Sequence, residues 1–126
     1  DILAAQIDQI LDAANDITNL VGLTMREKET VKKKVARQKL SGETLPKWFG
    51  FLENLLQANK SSQWFAGNTM SVADLAIWRL LGWIISGKLD HIPTTLLESF
   101  PNLNEHYSRV DTHPKVREWM KLKYSK

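Results

Sequence analysis

The 126-residue chain predicts an all-α fold, a bundle of five to six helices with no sheet. Three observations carry that expectation. Apolar residues recur at helical spacing along nearly the whole chain. Helix start signals precede several of those runs. No segment alternates apolar and polar residues as a half-buried strand would, and no tight hairpin signal appears. The length suits one domain spanning residues 1–126 with a single core.

In the first segment Leu3, Ile7, Ile10, Ala14, Ile17 and Val21 alternate at spacings of four and three, which aligns them on one helix face. Gly22 weakens that helix near its end. Thr24 followed by Glu27 is a candidate capping box for a second helix, which is polar and basic from Lys28 to Lys39 and is expected to stop around Ser41-Gly42. Leu45, Trp48, Phe49, Leu52, Leu55 and Leu56 mark a third amphipathic helix, with Pro46 acceptable in its first turn. Residues 59–68 read as a loop whose Trp64 and Phe65 must find a pocket. Residues 71–86 are apolar nearly all round, which predicts a buried central helix, and Gly87 is placed as its stop. A short helix follows, over 94–100 or 101–110, and a last one starts at Pro114 and ends near Lys121.

Composition excludes several classes. Seventeen basic and 14 acidic side chains leave a formal charge of +3, too mild for the concentrated footprint of a nucleic-acid binder. Cysteine is absent, so no disulfide framework, thiol nucleophile or Cys-ligated metal site exists. The N-terminus carries Asp1, Asp8 and Asp12 where a secretory signal would be basic and then apolar. The most apolar stretch, 72–85, contains Asp74 and Arg79 and falls short of the ~20 residues that span a bilayer. A soluble, cytoplasmic protein with no membrane span is expected.

Ser71-Val72-Ala73-Asp74 has the S-x-x-D arrangement. The serine oxygen is expected to accept the Asp74 N–H, and the aspartate to accept the Ser71 N–H. Met70 before the cap and Leu75 after it can form a hydrophobic staple. Alone, such a box is only a good helix start. Its surroundings are more specific: Trp64-Phe65-Ala66-Gly67-Asn68, then the cap and staple, then an apolar helix with Trp78. Phe100-Pro101-Asn102-Leu103 and His113-Pro114-Lys115-Val116-Arg117-Glu118-Trp119 close the chain. Together these resemble the C-terminal domain of glutathione transferases along essentially all 126 residues. The opening Ile7-Asp8-Gln9-Ile10-Leu11-Asp12-Ala13-Ala14-Asn15-Asp16 is most similar to the sigma-type branch, with its mu, alpha and pi relatives.

Asp8, Asp12 and Asp16 lie about 180° from the apolar stripe of their helix. For Asp8 and Asp12 the simple reading is a solvated acidic face, although like charges four residues apart disfavour a helix slightly. The resemblance implies more for Asp16: in the family the matching aspartate accepts from the γ-glutamyl amino group of glutathione bound to the other subunit of a homodimer. It also implies an apolar cleft for a hydrophobic electrophile, whose wall would here be Leu23, Ala76 and Leu80, with Arg26 as a polar rim. Ordinary core packing explains those three apolar residues equally well. Some sigma-type members hold a divalent cation between subunits. Asp12 matches one ligand, but Asn15 stands where a second carboxylate would be, so no metal and no cofactor beyond glutathione as co-substrate are expected.

Other signals point nowhere specific. The basic run 28–39 lacks interleaved aromatics and reads as a solvated face. His91, His106 and His113 have no ligand spacing. No phosphate loop or nucleophile elbow is present. The resemblance thus implies the C-terminal half of a glutathione transferase, with its thioredoxin-like N-terminal domain absent from this chain. No catalytic residue is assigned here, and the chain alone is expected to be inactive. The rival expectation is a non-catalytic interaction module of the same fold within a larger assembly.

Overall fold

The stripe of the first segment becomes one long helix, α1 (Ile2–Met25), whose start is capped by the Asp1 carboxylate accepting the Ala4 N–H at 3.1 Å. Ile10, Ala13, Ala14, Ile17 and Val21 are buried along it, while Asp8, Asp12 and Asp16 face solvent. The computed structural model describes residues 1–59 and 62–124; Lys60 and Ser61 of the expected loop lie outside that range.

Gly22 lies near the end of the helix, as expected, and α1 runs three residues past it. Thr24 is its last buried residue, and its hydroxyl donates back to the Val21 carbonyl at 2.6 Å instead of capping a new helix. The box expected from Thr24 to Glu27 is therefore replaced by a further turn of α1. Glu27 accepts the Glu29 N–H within the connecting turn, and α2 (Thr30–Lys39) begins beyond it.

No break occurs at Ser41-Gly42 either. A π turn over Leu40–Thr44 carries the chain from α2 straight into α3 (Leu45–Ala58), with the Leu45 N–H donating to the Leu40 carbonyl. Pro46 offers no N–H and its ring crowds the turn before it, so the helix widens locally rather than ending. The bulge keeps Leu40 and Leu45 both on the buried side.

α4 (Val72–Ile84) is the central helix, with Ala73, Asp74, Ile77, Leu80, Leu81 and Ile84 all buried. It packs mainly on α1 and on α5 (Pro101–Asp111), and α5 packs in turn on α3. The helix ends before the expected glycine. The Ser86 hydroxyl donates to the Trp83 carbonyl at 2.7 Å and closes the last turn. Gly87 follows with φ +86, turning the chain away toward a 3₁₀ turn over Leu96–Ser99. Phe49 and Phe100 meet edge to face at 5.6 Å between ring centroids, joining α3 to the start of α5. Glu53 of α3 caps α5 from outside, accepting the Leu103 N–H at 2.6 Å. α6 (Pro114–Tyr124) closes the domain and buries only Val116. The described residues form six α-helices and no strand, in agreement with the expected all-helical bundle.

Candidate functional site

Two sites were expected from the sequence, one at the start of α4 and one on the outer side of α1. At the first, Ser71 has extended backbone, its hydroxyl accepts from the Ala73 N–H at 3.2 Å, and the expected capping box with Asp74 is closed in both directions. The reciprocal arm is as expected, with the Ser71 N–H donating to Asp74 Oδ2 at 2.8 Å. Met70 and Leu75 flank the cap, both half-buried.

Asp74 does more than close a helix. Its side chain is fully buried, and its Oδ1 also accepts the Phe65 N–H at 2.9 Å and faces His106 Nε2 at 2.8 Å. Burial alone would raise its pKa. The hydrogen bond from His106, those from the Phe65 and Ser71 N–H groups, and the His106 charge outweigh burial and hold the carboxyl below the usual aspartate value. Three segments converge on this one carboxylate: the loop before α4, α4 itself and α5. Phe65 stacks its edge on the His106 ring at 4.6 Å, and Trp64 approaches the same imidazole at 6.1 Å. Those two aromatics thereby fill the pocket they were expected to need. Arg109 lies over Trp64 at 5.8 Å and donates to the Gln63 carbonyl at 2.9 Å, tying the loop to α5 from outside. His106 Nδ1 is buried without a hydrogen-bond partner among the described residues, so the imidazole is held to the network through Nε2.

On α1 the pattern reverses. Asp16 is exposed, and its carboxylate has no ion-pair partner among the described residues. With Asn19, Leu20, Leu23 and Arg26 it borders an open cleft of about 400 Å³ whose far side is Trp48 of α3. Leu23 is 60% exposed, far more than a core leucine, and so is available as a wall. Ala76 and Leu80 are placed elsewhere: Leu80 is buried in the core and Ala76 packs against it.

One residue that holds this cleft was hidden in the sequence. Arg37 was counted among the basic residues of α2, yet only 3% of it is exposed. Its Nε donates to Thr24 Oγ1 at 2.7 Å and its Nη1 to the Asp90 carbonyl at 3.0 Å. The last turn of α1 is thus clamped to α2 and to the segment after α4. His91, next to that carbonyl, takes the left-handed conformation with φ 68, which histidine tolerates better than most residues. The other residues of the basic run behave as expected, with Lys28, Lys32, Lys34 and Lys39 exposed.

An all-helical domain built around a buried, box-capped central helix and offering an open cleft on its first helix is a definite structural class. A sequence model described as "Glutathione S-transferase, C-terminal domain" matches residues 15–123, and the chain belongs to that family. A protein of Plasmodium yoelii yoelii named glutathione S-transferase is 35% identical over 78 residues, which are 62% of this chain and 34% of that protein. One of the same name from Plasmodium falciparum (isolate 3D7) is 31% identical over 86 residues, covering 62% of this chain and 37% of that protein. The chain thus spans about a third of the length of the curated relatives it matches.

The fold is also that of Na-GST-3, a glutathione S-transferase of the hookworm Necator americanus whose crystal structure is described as monomeric. The TM-score is 0.75 at 21% identity, over all of this chain and 60% of that one. The structure of NaGST-2 is similar at a TM-score of 0.72 and 20% identity, with the same coverage. Among the described residues no helix is long and apolar enough to cross a membrane.

Proposed function

We propose that this chain is the C-terminal half of a cytoplasmic glutathione transferase, which conjugates the glutathione thiol to electrophiles or isomerises a substrate with glutathione. The observation that carries the reading is the exposed Asp16, unpartnered at the mouth of a cleft with apolar walls, in a chain of this family. A carboxylate left free in this way suits the ammonium of a γ-glutamyl group, which supplies a charge-assisted hydrogen bond. In this reading Asp16 serves glutathione held by the second subunit of a homodimer. Leu23, with Leu20 and Trp48 beside it, backs the hydrophobic electrophile, while Ala76 and Leu80 serve the core. The thioredoxin-like domain of the same protein lowers the thiol pKa by donating a hydrogen bond to the thiolate. Tyr107 and Tyr124 are no substitute for that donor, since they lie on the last two helices, α5 and α6, and line no part of the Asp16 cleft.

The test is conjugation of glutathione to an activated aryl halide by the protein carrying this chain joined to its thioredoxin-like domain. Turnover above the uncatalysed rate that saturates in glutathione is the expected result. A folded protein that neither binds glutathione nor catalyses the reaction would instead be an interaction module, and the enzyme reading would be withdrawn.

A further inference from the structure

We infer that Arg26 selects electrophiles carrying an anionic group, a carboxylate above all, at the end of their apolar body. The inference rests on the proposed glutathione transferase reading and names the substrate class of the same cleft. Its basis is the distribution of charge along α1. Asp16 and Arg26 border one cleft from positions ten residues apart, about 15 Å along the helix axis. That is too far for the two to pair with each other, and Arg26 has no ion-pair partner among the described residues. Between them lie Leu20 and Leu23, with Trp48 opposite. The cleft thus has an acidic end, an apolar middle and a basic end.

The carboxylates nearest Arg26 are already engaged. Glu27 accepts the Glu29 N–H at 3.1 Å, and Glu29 pairs with Lys32 at 3.3 Å. The other charged groups close to the cleft belong to its neighbour across Trp48, where Lys39 and Lys47 outnumber Glu43. None of these carboxylates is ion-paired with Arg26, whose guanidinium keeps its charge for an outside partner. An Arg26 Nη atom would lie 3.9 Å from a Cβ built at Gly22, so the exposed guanidinium lies back along the last turn of α1.

That turn is held rigidly for a helix end. Arg37 grips it through Thr24, and Thr24 bonds back to the Val21 carbonyl. A guanidinium on a fixed turn offers a carboxylate two parallel donors, a geometry no lysine reproduces. A substrate with its carboxylate at Arg26 would rest its apolar body on Leu20, Leu23 and Trp48. The chemistry is a plain addition. The glutathione sulfur bonds to the β-carbon of an enone, the π-electrons move to the α-carbon, and that carbon takes a proton. Nothing is oxidised and no group leaves.

The experiment compares two probes, an aryloxyacetic-acid enone such as ethacrynic acid and its methyl ester, each rate divided by the uncatalysed reaction with glutathione. The wild-type protein, with its thioredoxin-like domain, is expected to favour the acid by about fivefold in kcat/KM at low salt, the worth of one well-placed exposed ion pair. The preference should shrink as ionic strength rises. Arg26→Leu should bring the acid-to-ester ratio close to one, and Arg26→Lys should retain part of the preference. Equal handling of acid and ester by the wild type, or a preference that survives Arg26→Leu, overturns the inference while leaving the transferase reading intact. Turnover of neither probe strikes at the transferase reading itself.

Discussion

Two aspartates of this domain, 58 positions apart in sequence, occupy opposite environments. Asp74 is fully buried and gathers hydrogen bonds from Phe65, Ser71 and His106. Asp16 is exposed beside an open cleft with no ion-pair partner among the described residues. The same side chain thus serves the fold in one place and is available for recognition in the other. The difference lies in what surrounds each carboxylate. Around Asp74 the chain supplies the donors, and removing the acceptor strands them in the core. Around Asp16 it supplies none, so any partner must come from outside the domain.

The largest expected effect follows from breaking the buried side. Asp74→Ala removes the acceptor for three groups and should destabilise the domain by about 3–5 kcal/mol, the range for losing one member of a buried charged pair. Urea unfolding checks it, and a loss under 1 kcal/mol would mean the network is ornamental. Acid should act on the same group. The carboxyl pKa is lower in the folded state, so its contribution is complete above the ordinary aspartate value. It fades as pH falls through the folded-state pKa. Asp74→Asn should flatten that acid limb of a stability-against-pH curve while leaving its neutral part parallel to the wild type. Ser71→Ala is a smaller perturbation, because it removes the hydroxyl's cap bonds and its 3.4 Å contact with Asp74 Oδ2 but leaves the Asp74 carboxylate and its other donors in place. A loss of about 1 kcal/mol is expected, as for helix caps generally.

Much of this contrast was legible before the structure. The box Ser71-Asp74 announces itself through local spacing, since a cap and its helix lie within four residues. Helical periodicity likewise located α1, α3 and α4 well. The rest of the Asp74 network was not legible, because His106 reaches it across 32 residues and no local pattern links them. Arg37 was lost for a related reason. In a run of lysines one buried arginine looks like its neighbours, and only the packing of α2 against the end of α1 distinguishes it. The errors at Thr24 and Gly42 share a physical origin. A threonine, and a glycine before a proline, both favour helix ends in isolation. Tertiary burial of Thr24, Leu40 and Leu45 kept the chain helical past each of them. On the recognition side, the family resemblance singled out Asp16 from Asp8 and Asp12 on the same outer face of α1, whereas Ala76 and Leu80 could not be told from core residues by hydrophobicity alone.

The most direct measurement of the division between the two aspartates is a calorimetric titration of glutathione into the protein carrying Asp16→Ala, paired with its unfolding curve. The expected result is an affinity reduced by about tenfold, the loss of one charge-assisted hydrogen bond, with stability changed by less than about 0.5 kcal/mol. Unchanged affinity for glutathione would contradict the recognition role of Asp16, and a large loss of stability would contradict its separation from the fold.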